Sequence, residues 1–251
     1  MGQLDAAARH QLTRFAKKET MMKRFILALC ACAALTGFAR AEDSQKLTDR
    51  IEAAHAVLHE LMATPDKGIP LDIAAKATCV AVIPGVKKGA FVVGGQYGQG
   101  LLTCRTAHGW SAPVFIQIAG ASFGFQAGGQ STDVVLVATN HDGFQHLLQD
   151  KVKLGGDVSV AAGPVGRDST ASTTALANAA LLSYSRSKGI FAGIDLSGDV
   201  VNQNQDDTRK YYGKDLTYES ILSGKVPTPM SAQHFVRTVG QLFNDGTRHA
   251  N

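Results

Sequence analysis

The chain has 251 residues, of which only 18% are charged, and a formal net charge of +4. That length fits one medium domain, or one domain plus processed ends. The positive balance is concentrated at the N-terminus: residues 1–41 hold 7 of the 25 Lys+Arg and 2 of the 21 Asp+Glu, so the chain from Glu42 carries 18 basic and 19 acidic residues, a net of −1. A generic basic surface for nucleic acid is thereby excluded.

Met21 and Met22 are followed by Lys23-Arg24, an uncharged apolar run from Phe25 to Leu35, and Ala39-Arg40-Ala41. A positive n-region, a short apolar segment and a small-residue cleavage site describe a secretory signal peptide. The run falls short of the ~20 apolar residues that span a bilayer. Residues 1–20 read as an over-extended start, 21–41 as the signal peptide and 42–251 as a single domain exported to the periplasm or cell envelope. Leu29-Cys30-Ala31-Cys32 also offers a loose lipobox-like alternative in which Cys30 or Cys32 carries a lipid.

Residues 44–62 predict an amphipathic helix, with Leu47, Ile51, Ala54, Leu58 and Leu61 spaced by threes and fours. Its polar face, with Asp49, Glu52, His59 and Glu60, is mixed and leans acidic, so a helix packed on the core is expected rather than a Lys/Arg-rich membrane-surface helix. Pro65 to Gly68 reads as a turn and Leu71 to Ala77 as a short helix.

From Cys79 to Thr139, short apolar runs alternate with glycine-rich breaks. Val80–Ile83, Phe91–Gly95, Leu101–Arg105, Val114–Ile118, Phe123–Ala127 and Val134–Ala138 predict six strands. The breaks at Pro84-Gly85, Gly98-Gln99-Gly100, His108-Gly109 and Gly128-Gly129 read as turns too short for parallel crossovers, so neighbouring strands are expected to be antiparallel. Consecutive apolar residues such as Val134 to Val137 predict a sheet covered on both faces. Glycines inside the strands predict strong curvature or a partial barrel. Cys79 and Cys104 end neighbouring strands. In an exported protein they are either a disulfide or two buried thiols.

Further on, Asp142–Asp150 predicts a helix and Val158–Ala162 a strand. Leu181–Ser185 and Ile190–Leu196 predict a hairpin about Arg186-Ser187-Lys188-Gly189. Asp206–Tyr212, Tyr218–Leu222 and Ser231–Phe243 predict a helical end punctuated by Gly213, Gly224, Pro227 and Pro229. The fold class is α+β: a curved, mainly antiparallel, glycine-rich sheet covered by N- and C-terminal helices.

Three groups of residues raise chemistry. Gly120-Ala121-Ser122-Phe123-Gly124 matches G-x-S-x-G, but a nucleophile elbow needs a sharp strand-to-helix turn, and alternation through Phe123 and Phe125 makes this a strand. No enzyme is expected. His55 and His59 share a helix face at i, i+4, yet Ala56 stands where H-E-x-x-H requires glutamate and no third ligand is near in sequence. No metal and no cofactor are expected. Third, Lys87-Lys88-Gly89, Gly166-Arg167 and Arg186-Ser187-Lys188-Gly189 combine glycine with basic side chains. Loops of this kind, gathered at one end of a sheet, make an anion cradle; taken singly they are ordinary soluble turns.

The string Val86-Lys87-Lys88-Gly89-Ala90-Phe91-Val92-Val93-Gly94-Gly95 joins Gly109-Trp110-Ser111-Ala112-Pro113, and Phe123 to Gln130 joins Gly163-Pro164-Val165-Gly166-Arg167-Asp168. With Leu182-Ser183-Tyr184-Ser185-Arg186-Ser187-Lys188-Gly189-Ile190-Phe191-Ala192-Gly193 and Tyr212-Gly213, these motifs over residues 45–225 resemble the bacterial SYLF-domain family. The resemblance implies binding of anionic phospholipids, phosphoinositides among them, and actin binding in the eukaryotic relatives. It implies a headgroup role for Lys87, Lys88, Arg167, Arg186 and Lys188, with actin or another protein as the alternative partner. The resemblance also implies that in those relatives an amphipathic N-terminal helix and basic residues take part in lipid binding; the matching segment here, Ser44–Met62, departs from that in carrying little positive charge.

Overall fold

A computed structural model describes residues 42–61, 68–90, 93–123, 130–147, 149–165, 179–187 and 190–249. The chain divides into two compact units, 1–46 and 47–251. Of the first, the described residues belong to the start of helix α1 (42–61), where Lys46 and Glu42 pair at 2.7 Å. The expected leader, with Cys30 and Cys32, lies outside the described residues.

The second unit holds the rest of α1 and then, in order, α2 (Leu71–Lys76), β1 (Cys79–Ala90), β2 (Val93–Thr106), β3 (Gly109–Trp110), β4 (Val114–Phe123), β5 (Gln130–Ala138), α3 (His141–Leu147), β6 (Lys151–Lys153), β7 (Val160–Ala162), β8 (Leu181–Ser187), β9 (Ile190–Gly193), β10 (Val200–Gln203), α4 (Gln205–Tyr212), α5 (Tyr218–Leu222), a 3-10 turn (Met230–Ala232) and α6 (Gln233–His249). The strands form one sheet in the order β6-β10-β4-β2-β1-β5-β8-β7, with β3 on β2 and β9 on β8. The sheet is strongly curved, a half-barrel with helices at both ends of the chain. Its pairs are antiparallel except β7 with β8, where the 18 residues between Ala162 and Leu181 leave length for a crossover.

Alternation sorts the strand residues onto two buried faces. Val80, Val82, Leu101, Phe115, Val135, Val137, Leu182 and Tyr184 meet Ile51, Leu58 and Leu61 of α1, Ile73 of α2, and Phe235, Val239 and Phe243 of α6. Ala81, Ile83, Leu102, Ile116, Ile118, Val134 and Leu136 form the other face with Leu147, Val152, Leu196, Val201, Ile221 and Leu222. Arg105 links strand to helices: it donates to the Ala77 carbonyl at 2.9 Å and the Phe243 carbonyl at 3.1 Å, and its guanidinium lies 4.9 Å from the Trp110 ring centre.

Two expected turns prove to be strand interior. Pro84-Gly85 is a bulge in β1: Ile83 faces Val134 and Val86 faces Thr132, so two β1 residues oppose one of β5. Gly85 has φ +58° and donates its N–H to Asp133 Oδ1 at 2.9 Å, a backbone state that suits glycine. Gly98-Gln99-Gly100 lies within β2, where the bulged strand presses closest. A Cβ on Gly98 would stand 2.7 Å from Val86 Cγ2 and 2.8 Å from Ile83 Cγ2. Glycine there serves close approach between strands, not a reversal of the chain. The expected runs Phe91–Gly95 and Leu101–Arg105 are thus parts of β2, with Phe91 and Val92 outside the described residues. Strands β6 and β10, absent from the sequence reading, are short edge pieces, and the expected helix Asp142–Asp150 is His141–Leu147. The expected strand Val158–Ala162 is shortened to β7, Val158 making only a bridge to Leu154.

Cys79 and Cys104 face each other across β1 and β2, are fully buried, and form a disulfide with Cα atoms 4.0 Å apart.

Candidate functional site

The sheet register decides which basic residues share a place. Lys87 pairs with Tyr97 and Ser131, and Lys88 with Gln96 and Gln130. Both lysines therefore sit in strand β1, not in a turn, and successive strand residues face opposite ways. Counting through the bulge, Lys87 shares the α1-covered face with Val135 and Arg186, and Lys88 the opposite face with Gln96. The doublet is divided by the sheet.

On the α1 side, Arg186 sits opposite Asp133 on β5 and reaches Glu60 of α1: Nη1 is 2.5 Å from Glu60 Oε2 and 3.6 Å from Asp133 Oδ2. Two carboxylates hold its charge, so it belongs first to the seam between α1 and the sheet. Arg50 behaves alike, 2.7 Å from Asp207 Oδ2 and 2.8 Å from Gln99 Oε1. Lys87 is exposed and makes no ion pair among the described residues. It borders a cleft of about 290 Å³ with Arg50, Pro84, Tyr97 and Gln99, and Tyr97 is 47% exposed.

On the other face a polar row crosses four strands. Lys88 pairs with Gln96, Gln96 with Gly120, and Asp199 lies over Gly120, just before β10. Gln96 Nε2 donates to Asp199 Oδ2, while Gln96 Oε1 is buried without a hydrogen-bond partner among the described residues. Asp199 is 3% exposed. Burial pushes its carboxyl above the usual carboxylate range, against the Gln96 amide and the Lys88 charge, which pull it down.

Arg167 and Lys188 lie outside the described residues. The chain flanking them is described, however, and it converges. Ala90 and Val93, Phe123 and Gln130, and Ser187 and Ile190 all stand at the same end of the sheet. β7 runs parallel to β8 toward that end before residue 166. In sequence, the connections there contain Phe91, Phe125, Arg167 and Lys188, and Ile190 beside them is 60% exposed.

Ser122 lies within β4, paired with Gly94. His55 and His59 lie on α1 with ring centres 6.2 Å apart. No group of three His, Cys, Asp or Glu among the described residues is assembled as a metal site. A larger groove of about 490 Å³ is lined by Asp150, Asp206, Asp215 and Glu219 with Arg209, the wrong charge for an anion seat. No described helix is long and apolar enough to cross a membrane.

Sequence reasoning missed Arg50, Glu60, Asp133 and Asp199. Glu60 reads only as part of the polar face of α1, Arg50 carries no signal of its own, and their partners are strand and helix residues distant in sequence. Only the Ser197-Gly198 turn before Asp199 gave a local signal.

The model of the family described as Ysc84, a Las17-binding protein actin regulator, matches residues 119–242. The chain carries a Ysc84/SYLF-family domain. LAS seventeen-binding protein 3 of Saccharomyces cerevisiae is 36% identical over 184 residues, 71% of this chain and 40% of its own. Protein YSC84 of the same yeast is 35% identical over 188 residues, 73% of this chain and 40% of its own. SH3 domain-containing YSC84-like protein 1 of Homo sapiens is 34% identical over 171 residues, 67% of this chain and 50% of its own. The SYLF-domain chain thus spans half or less of the length of these curated relatives.

Proposed function

We propose that this SYLF-domain chain is an exported, non-catalytic binding module that docks the loop end of its sheet on an anionic phospholipid surface of the cell envelope. One observation carries the reading: the strands flanking the basic and aromatic connections all turn at the same end of the half-barrel. Aromatic and aliphatic tips enter the headgroup region while lysine and arginine meet phosphate, the usual division of labour at a membrane surface. Within this reading Lys87, Arg167 and Lys188 supply the charge, Lys88 is withdrawn to the other face, and Arg186 fixes α1.

Vesicle flotation tests it. The untagged chain should float with phosphatidylglycerol vesicles and not with phosphatidylcholine vesicles. A basic residue near an anionic surface contributes about 1 kcal/mol, so the charge reversal Lys87→Glu should weaken association by about tenfold or more at low salt. The difference should shrink at high ionic strength. Equal recovery from both vesicle types, or none from either, rejects the proposal.

A second reading rests on the relatives' names, which describe Las17 binding and actin regulation. On that reading the partner is a protein. Co-sedimentation with filamentous actin, unaffected by added vesicles, would favour it over the lipid reading.

A further inference from the structure

We propose that the cleft beside the β1 bulge is a seat for a single phosphate-class oxyanion, carried by a lipid headgroup or by a soluble phosphate ester. The headgroup source rests on the membrane docking proposed above; the seat itself does not. The cleft, about 290 Å³, lies between α1 and strands β1 and β2. Its two charged lining residues, Arg50 and Lys87, are both cations, and no carboxylate of the described residues lines it. That volume stands at the low end of the ~300–1,000 Å³ usual for small-molecule sites, so the cleft takes a headgroup-sized piece and leaves acyl chains outside.

The bulge shapes this cleft. Pro84 and Gly85 are the two β1 residues set against one of β5, and Gly85, at φ +58°, brings no side chain to the wall they form. Just beyond them Lys87 pairs with Tyr97, and both stand on the α1 face with Gln99. Gly95, Ala119 and Ala121 share that face on β2 and β4 and are too small to cover their neighbours. Tyr97 and Lys87 are accordingly both open to solvent.

Arg50 is fixed, with donors to spare. Its Nη1 donates to Asp207 Oδ2 at 2.7 Å and its Nη2 to Gln99 Oε1 at 2.8 Å, and the guanidinium lies 5.5 Å from the Phe115 ring centre. Among the described residues these bonds occupy two of the five N–H donors of the group. Asp207 offsets the Arg50 charge, so Lys87 supplies the charge that is not offset. A lysine ammonium is a compact point charge with three rotatable donors, which suits a phosphate oxygen. The carboxylates next to the lining residues are already engaged: Asp207 by Arg50 and Asn204 Nδ2, Asp133 by the Gly85 N–H and Arg186. The Tyr97 ring, tied through its hydroxyl to Gln117 Oε1 at 3.2 Å, is the open wall against which the carbon part of an ester packs.

The height of the cleft on the sheet fits a headgroup. Lys87 stands three residues before the end of β1 at Ala90, which at ~3.3 Å per residue is about 10 Å from the loop end. A loop end that enters the interface by the ~5–10 Å usual for amphipathic segments brings headgroup phosphates to that level.

The test is a nitrogen-15 nuclear magnetic resonance titration of the untagged full chain with inorganic phosphate and with glycerol 1-phosphate, beside flotation with phosphatidylglycerol vesicles. Both soluble probes should shift the amides of Gly85, Lys87, Tyr97 and Gln99 along one saturable curve. Lys87→Gln should weaken glycerol 1-phosphate by about tenfold or more, Lys87→Arg should retain most of the binding, and Tyr97→Ala should weaken it several-fold. Lys88→Gln removes the same charge from the adjacent residue on the opposite face and should leave the affinity unchanged. Far-ultraviolet circular dichroism confirms that each variant is folded. If Lys87→Gln also releases the chain from vesicles, the seat takes a lipid headgroup; if the soluble probes bind but flotation is unchanged, or the parent chain never floats, it takes a soluble ester. No saturable shift of those amides with either probe overturns the proposal, even where the parent chain floats. Equal weakening by Lys87→Gln and Lys88→Gln overturns it as well, since the effect would then be one of net charge and not of the cleft.

Discussion

Removing the Cys79–Cys104 bridge tests how much of this sheet depends on a covalent link. The two cysteines are 25 residues apart in sequence. In the chain-entropy model, a crosslink closing a loop of that length restricts the unfolded chain by about 3.5 kcal/mol. For a chain of this size each kcal/mol is worth about 2–4 °C, so reduction should lower the melting temperature by roughly 10 °C. The measurement is equilibrium urea unfolding of the oxidised protein, the dithiothreitol-reduced protein and the Cys79→Ala/Cys104→Ala double variant. Oxidised against reduced isolates the crosslink, since both keep their sulfur atoms. The double variant adds the loss of two fully buried sulfurs and should be less stable than the reduced protein by about 1–2 kcal/mol. If oxidised and reduced protein unfold within about 0.5 kcal/mol of each other while thiol titration shows the bond intact before reduction, the entropic argument is wrong for this hairpin.

Asp199→Asn should raise the melting temperature at pH 7.5. The native carboxyl is held above its unfolded value by burial, so ionised Asp199 costs stability at neutral pH, and the cost disappears as pH falls through the raised value toward the unfolded one. The advantage of the variant should therefore shrink in melts run between pH 7.5 and pH 4; a constant difference counts against this. Gly120→Ala should destabilise by several kcal/mol in urea titrations, because its methyl group would fall on Asp199 Oδ1; a loss under 1 kcal/mol would mean that the Asp199 turn yields freely. Tyr184→Phe should be neutral or stabilising by about 1 kcal/mol, since the buried Tyr184 hydroxyl has no hydrogen-bond partner among the described residues; a loss above 1 kcal/mol would reveal a bond to ordered water or to another part of the chain.

Much of the architecture could be read from residue order. The spacing Leu47, Ile51, Ala54, Leu58, Leu61 marks the buried stripe of α1, and the unbroken run Val134 to Ala138 marks a strand covered on both sides. What could not be read was the meaning of Pro84-Gly85 and Gly98-Gln99-Gly100. Locally each has turn composition, and only the partner strand reveals a bulge and a close approach. The misplacement of Lys87 and Lys88 in a turn follows from that one ambiguity. Arg186 was legible as a cation, but not as one already held by Glu60 and Asp133, because those partners come from other elements. The shared end of the connections could be conjectured from the hairpins, whereas the row Lys88, Gln96, Asp199 depends on a pairing with β10 that four residues of sequence do not announce.

The extra residue in β1 has a bearing on how this surface can change. Downstream of Gly85, inside and outside are counted from a strand that has skipped one beat relative to its neighbour. Because two residues of β1 there oppose one of β5, Ile83 and Val86 share a face, and deleting Gly85 would straighten the strand while leaving Lys87 on the α1 side and Lys88 on the side of Asp199. The bulge thus sets the bend of the strand and not the side on which each lysine stands, and the charge pattern of the half-barrel would outlast its loss.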